Sequence, residues 1–318
     1  MKTTSLTSIV FISLTLVANQ LLAGDLSQDY VALEANLLNR DSGNNIVYLY
    51  DNNGTPNNSS DDIPIANTGS FSDQADVGYR LSVGKTLSQK WSLQAGILGS
   101  DFNQTDSFTD TSSQLEIFRL PLTNNFDSAD YVSANYSSEL QSLELNLVYK
   151  LNDMFDLFAG INKVTLDESF NIVSDDSNIA SPGTGIYNIN TTNDMLGPQV
   201  GFAFNYKPAD SYGFYIIGKL AWLDNDADQN QVVDDSPAFT RSNSASDSHS
   251  STMYDIRLGV NYYFNKQLAM NLGYQLIDIS DVALAESQFD TTLAGSNTVK
   301  TNDSISWDGF NLGISYIF

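Results

Sequence analysis

From about residue 31 onward, apolar and polar residues alternate over stretches of about ten residues, the period-two pattern of strands whose faces meet different surroundings. In the clearest stretch Leu143, Leu145, Leu147, Tyr149 and Leu151 share one face, and Glu144, Asn146 and Lys150 share the other. A tight turn at Asn152 and Asp153 leads to its partner, where Leu157, Ala159 and Ile161 oppose Gly160 and Asn162. Val77, Tyr79, Leu81 and Val83 alternate with Gly78, Arg80, Ser82 and Gly84, and a turn at 88–90 leads to Trp91, Leu93, Ala95 and Ile97. Leu196, Val200, Phe202, Phe204 and Tyr206 precede a turn around Pro208 and a strand over 212–223. Tyr254, Ile256, Leu258, Val260, Tyr262 and Phe264 precede a turn at 265–267 and then Leu268, Met270, Leu272, Tyr274 and Leu276. A first strand (Val31, Leu33, Ala35, Leu37) and a last (Phe310, Leu312, Ile314, Tyr316, Phe318) bring the total to ten.

Four short turns and five long connections, roughly 39–75, 100–133, 171–186, 224–249 and 280–301, join these strands in strict alternation. Structureless connections of that length argue against a soluble domain. They are the rule in an outer-membrane barrel, with short periplasmic turns and long extracellular loops. The pattern therefore predicts an all-β fold, a single antiparallel transmembrane β-barrel of about ten strands with both termini periplasmic. Extended pieces at 46–50 and 115–120 leave twelve strands as the alternative. A secreted soluble β-sandwich is the competing fold, but Tyr149, Phe155, Tyr206, Tyr212 and Phe264 fall at strand ends, where a lipid-interface girdle places aromatics.

The N-terminus fits export. Lys2 precedes an apolar run at 9–18 (IVFISLTLVA), followed by Ala23 and Gly24, a signal-peptide layout with cleavage expected after Ala23 and a mature barrel over 24–318. The run falls well short of the roughly 20 residues of a spanning helix. No cysteine is present to carry a lipid anchor. At the other end Gly313, Tyr316 and Phe318 have the G-x-x-aromatic-x-aromatic spacing of the signal read by the barrel assembly machinery, with Leu312 departing from its polar preference. The expected location is the outer membrane of a Gram-negative bacterium.

If the apolar face meets lipid, parity lists the lumen-lining side chains: Glu34, Asp76, Arg80, Glu144, Lys150, Glu168, Gln199, Lys219, Asp255, Arg257 and Gln275. Acids and bases are nearly balanced there. In so narrow a barrel they should pair, which leaves open whether the lumen is a narrow, mildly cation-preferring pore or a salt-bridged plug.

Composition then separates partners. The 318 residues hold 14 Lys+Arg against 38 Asp+Glu, a formal charge of -24, which excludes nucleic acid as a partner. The five long connections, with Asp303 included, hold 23 acids against four bases (Arg40, Arg119, Arg241, Lys300), so -19 of that -24 belongs to the extracellular side. Beside lipopolysaccharide such loops need bridging divalent cations. Asp224, Asp226, Asp228 and Asp235 stand at positions 1, 3, 5 and 12 of a calcium-loop spacing, without its glycine at position six, and make the candidate metal site. The alternative is a solvated acidic loop, and no tightly held cofactor is expected beyond a loosely bound divalent cation such as calcium. Asp247 and His249, the sole histidine, form the one acid-histidine pair and resemble half of an omptin protease site. Asp101, Asp106 and Asp110 do not supply the paired aspartates that such a site also needs, so no enzyme is expected.

Over most of the mature chain the sequence resembles the pore-forming outer-membrane β-barrel family typified by the legionella-type major outer-membrane protein. The resemblance lies in Ser142 to Asn146 (SLELN), Phe158-Ala159-Gly160 continuing to Leu166 and Glu168, Asn193 with the GPQVG run at 197–201, and Gly273-Tyr274-Gln275 followed by VALA at 282–285. It implies a porin-like role. The leading expectation is thus a passive narrow pore for small hydrophilic solutes or ions. A structural or adhesion barrel with interacting loops is the alternative, and an omptin-like surface protease is third.

Overall fold

The computed structural model describes residues 29–55, 60–71, 75–112, 114–117, 126, 128–176, 183–235, 239–289 and 298–318. The proposed signal peptide lies outside them. Ten strands close an antiparallel barrel: β1 (Tyr30–Asp41), β4 (Ala75–Thr86), β5 (Trp91–Thr109), β7 (Tyr131–Lys150), β8 (Phe155–Asp176), β9 (Gly183–Ala209), β10 (Tyr212–Asp235), β11 (Phe239–Tyr263), β12 (Leu268–Val282) and β13 (Asp303–Ile317). Each pairs with its sequence neighbour in the barrel, and β1 closes on β13 with Tyr30 opposite Ile317 and Asp41 opposite Ser306. Three short strands, β2 (Val47–Asp51), β3 (Ile63–Asn67) and β6 (Leu115–Ile117), form a separate sheet in the order β3-β2-β6. Of the extended pieces near 46–50 and 115–120, Val47–Asp51 and Leu115–Ile117 are strands that do not enter the wall, while 118–120 lie outside the described residues, and ten replaces the twelve-strand alternative.

The wall is far taller than a membrane. A tilted strand crosses with about 9–11 residues, whereas β9 has 27, β10 has 24 and β11 has 25. Most of the connection expected over 224–249 is therefore β-ladder, with Asp224 opposite Ser250 and Asp235 opposite Phe239. Those over 100–133 and 171–186 shrink in the same way.

Strand β7 shows why. Near the periplasmic turns its outward residues are Leu143, Leu145, Leu147 and Tyr149, and its inward residues include Ser142, Glu144 and Asn146. Further up, the alternation keeps its parity and reverses its chemistry: Ser133, Asn135, Ser137 and Glu139 face out, while Val132, Ala134, Tyr136 and Leu140 are buried inside. The outward partner has changed from lipid to water. The interior must then supply the hydrophobic burial itself.

It does so in two apolar layers. Leu38, Leu98, Leu140, Leu166, Ile277 and Trp307 fill the barrel just above its middle. Above them Tyr48 and Leu49 of β2, with Phe71 and Ile117, pack on Phe102, Tyr136, Phe170 and Tyr187 of the wall. Ring centroids lie 5.4 Å apart for Tyr48–Phe170 and 5.7 Å for both Phe71–Tyr136 and Tyr136–Phe170. The small sheet is thus a stopper held by an aromatic core.

At the opposite end the aromatic girdle appears where expected. Trp91 packs on Tyr149, Tyr262 on Phe264 and Tyr316 on Phe318. Asp29 pairs with Lys85 and accepts from the Thr86 N–H at 2.6 Å. Burial works against its ionisation, but these partners outweigh that and hold its carboxyl below the usual range.

Candidate functional site

The lumen has three structural levels. At mid-membrane, seven strands contribute to one charged layer. Glu34 on β1 and Arg80 on β4 stand directly opposite one another in the ladder, and both point inward because inward parity is continuous with buried Asn36 and Leu38. Arg80 reaches almost straight across the barrel, its Nη2 3.1 Å from Asp255 Oδ2 on β11. Its other nitrogens lie 3.7 Å from Glu34 and 3.8 Å from Glu144. Lys219 Nζ donates to both Glu144 oxygens at 2.8 Å and lies 3.4 Å from Asp255. Arg257 Nη1 donates to Glu34 Oε2 at 3.3 Å. Gln199 donates to Glu144 at 3.1 Å and Gln275 to Asp255 at 2.8 Å.

Three acids therefore meet three bases, all nearly without solvent exposure. Such charges are tolerable in a dry interior only when paired and hydrogen-bonded. The space between them is a cavity of about 10 Å³, enough for about one water molecule. Of the eleven side chains that parity lists, nine are buried. Asp76 and Lys150 are half-buried instead: Asp76 follows the exposed Ala75 that starts β4, and Lys150 sits at the periplasmic rim beside Asp153, 3.3 Å away.

Glu168 does not belong to this layer. It sits higher, with Arg40 donating to it at 2.8 and 3.2 Å and the Tyr136 hydroxyl donating at 2.6 Å. Arg40 also stacks 4.5 Å over the Tyr136 ring. Sequence reasoning placed Arg40 in an extracellular loop. The signal that would have found it is parity, since Glu34, Asn36, Leu38 and Arg40 fall on one face of β1.

The third level is a chain segment. From the end of β12, residues Val282 to Phe289 turn into the barrel and are buried throughout. Wall side chains grip their main chain. Asn193 accepts from the Ala283 N–H and donates to its carbonyl, both at 2.8 Å. The Ala285 N–H donates to Glu168 at 3.1 Å, and Gln231 donates to the Gln288 carbonyl at 2.7 Å. His249 and Ser251 bind the Asp281 carbonyl at 2.6 and 2.5 Å, where Asp281 adopts φ +58° beside a β-bulge. That is a strained conformation for a residue with a side chain, and the two donors hold it.

Two expectations are corrected here. Asp224, Asp226, Asp228 and Asp235 do not form a calcium loop. They lie along the extended strand β10, where the first three face outward and Asp235 is buried on the other face. An extended backbone cannot wrap one ion. Among the described residues no three His, Asp, Glu or Cys side chains converge as a metal cluster. Asp247 and His249 lie on β11 rather than in a connection. His249 is engaged by the Asp281 carbonyl, while Asp101 faces outward on β5.

A closed ten-stranded barrel with a lipid-facing belt and a charge-paired lumen defines an outer-membrane β-barrel. The family model described as Putative beta barrel porin-7 (BBP7) matches residues 44–312, and the chain belongs to that family. No curated protein matches it. Among solved structures, the Escherichia coli outer membrane protease OmpT is similar at 10% identity and TM-score 0.46, covering 93% of this chain and 99% of that one. Neisserial surface protein A is similar at 11% identity and TM-score 0.32, with 91% and 96% covered, and a Pseudomonas aeruginosa FadL homologue at 12% identity and TM-score 0.32, with 93% and 92% covered.

Proposed function

We propose that this porin-family member is a closed barrel whose working part is its extracellular wall, a structural or adhesion protein of the outer membrane rather than a standing pore. The supporting observation is that the lumen is filled at three successive heights, by the charged layer and by two apolar layers into which the inserted segment 282–289 packs. Moving the stopper would expose Tyr48, Leu49, Phe71 and Ile117 together, at about 1.5–3 kcal/mol each. That is too much for a spontaneous gate. The outward face above the belt offers Asp101, Glu139, Asp167, Asp194 and Asp226 to its surroundings, a surface suited to cationic or cation-bridged partners such as lipopolysaccharide. The reading includes no catalysis, because His249 serves the backbone of Asp281.

A second reading, a narrow pore for small hydrophilic solutes or ions akin to the legionella-type major outer-membrane protein, is favoured by the three acids and three bases gathered at mid-membrane. A plain anchor has no need of them. Planar-bilayer recording of the refolded protein separates the two. The closed reading expects no steady conductance steps, and regular steps in the native protein would replace it with the pore.

A further inference from the structure

Where β1 leaves the barrel wall and β13 enters it, Glu286 and Asp303 come together from segments far apart in the sequence. Glu286 sits in the one-turn 3-10 helix of the inserted segment and is fully enclosed. Its Oε1 accepts from Asn44 at 3.2 Å, and Arg40 lies 3.8 Å away. Its Oε2 is buried with no hydrogen-bond partner. Asp303 Oδ2 is likewise buried and unpartnered. The two carboxylates share their polar neighbours, since Asn44 and Ser287 also bond Asp303, and Asn44 bonds Ser287 at 3.0 Å. Ser42 approaches Glu286 from the end of β1.

The cations nearby do not serve these two oxygens. Arg40 is committed to Glu168 and Tyr136, and Lys300 Nζ donates to the Ser287 carbonyl at 2.9 Å. A buried carboxylate oxygen without a partner is costly. A hard dication seated among the neighbours that the two carboxylates share would give the free oxygens a partner, with side-chain hydroxyl, amide and main-chain oxygens completing the shell. Calcium accepts that mixed, irregular set of six to eight oxygens, whereas magnesium demands an octahedron. A third carboxylate is not required.

We propose that Glu286 and Asp303, with Asn44, Ser42 and Ser287 around them, form a site for one calcium-class divalent cation that ties the inserted segment to the extracellular ends of β1 and β13. The inference is independent of whether the lumen conducts. Its affinity should fall in the range of extracellular modules, about 10⁻⁴–10⁻³ M.

The test is titration of the refolded full-length protein with terbium followed by calcium competition, read by sensitised luminescence, and repeated by calorimetry with calcium alone. One saturable site is expected. Glu286→Gln and Asp303→Asn, which keep side-chain size, should each weaken it about tenfold or more, while a variant carrying Asn at positions 224, 226 and 228 keeps it. Retained heat-modifiable migration shows that each variant has folded. Absence of saturable binding in the native protein overturns the proposal. So does a site that survives both single variants, or one lost only with the β10 aspartates.

Discussion

The two halves of this barrel are inverted copies of one design problem. In the membrane the wall is apolar outside, and the interior centres on paired charges, with a small apolar cluster of Val148, Phe158, Ala203, Tyr215 and Ile217 toward the short turns. Above the membrane the wall is polar outside and apolar inside, and the interior is held by an aromatic core. Strand β7 and its ladders to β5 and β8 run unbroken through both halves, with parity kept from Tyr131 to Val148. Only the solvent outside changes. Lipid makes an apolar outer face favourable and leaves the lumen to polar groups, while water reverses both preferences. The upper half is therefore a soluble β-protein standing on a membrane protein.

The comparison can be broken most severely at the aromatic core. Phe170→Ala removes a ring that touches Tyr48, Phe71, Tyr136 and Phe289, and should cost about 3–5 kcal/mol. Limited proteolysis at the cell surface should then cut the upper half while the membrane half keeps its heat-modifiable migration. Joint loss of both would show that the halves are one cooperative unit.

Lys219→Met attacks the lower half instead. It leaves Glu144 and Asp255 sharing only Arg80 in a dry interior, and should cost about 3 kcal/mol. Urea unfolding in vesicles should show the loss with the upper half still protected from protease. An unchanged midpoint would mean that water reaches the charged layer and the lumen is less dry than its packing indicates.

The mildest test uses pH. Burial, reinforced by the nearby Glu168 and only partly offset by Arg40, raises the Glu286 carboxyl above the usual range, and burial does the same for Asp303. A carboxyl raised in the folded state favours the protonated form there. Stability is then full below its ordinary value and is lost as pH rises through the raised one. Moving from neutral to mildly acidic pH, without divalent cations, should slow exchange of the Ala285 and Ser287 amides beyond the intrinsic change. Faster exchange in acid would show that the ionised carboxylates, not the neutral ones, hold the segment.

Much of this was legible in the sequence. Lipid-facing alternation marks all ten wall strands, and parity puts Glu34, Arg80, Glu144, Lys219, Asp255 and Arg257 on the opposite face. The same alternation runs on through 131–141, 163–176 and 183–195, with the faces exchanged. Strand ends were placed where the outward residues turned polar, and so the upper ladder passed for loops. Asp224, Asp226 and Asp228 followed the same error: on a loop they suggest a cage, and on a strand they are one side of a wall.

The sequence alone determined strand number and the lipid-facing alternation, because both depend on local periodicity. Only the tertiary structure decided that the lumen is shut. That depends on Arg80 meeting Asp255 across the barrel, on residues near 48 and 117 pairing in one sheet, and on Asn193 gripping Ala283, 90 positions away. Such contacts are fixed by closure of the ring, and no period along the chain records them.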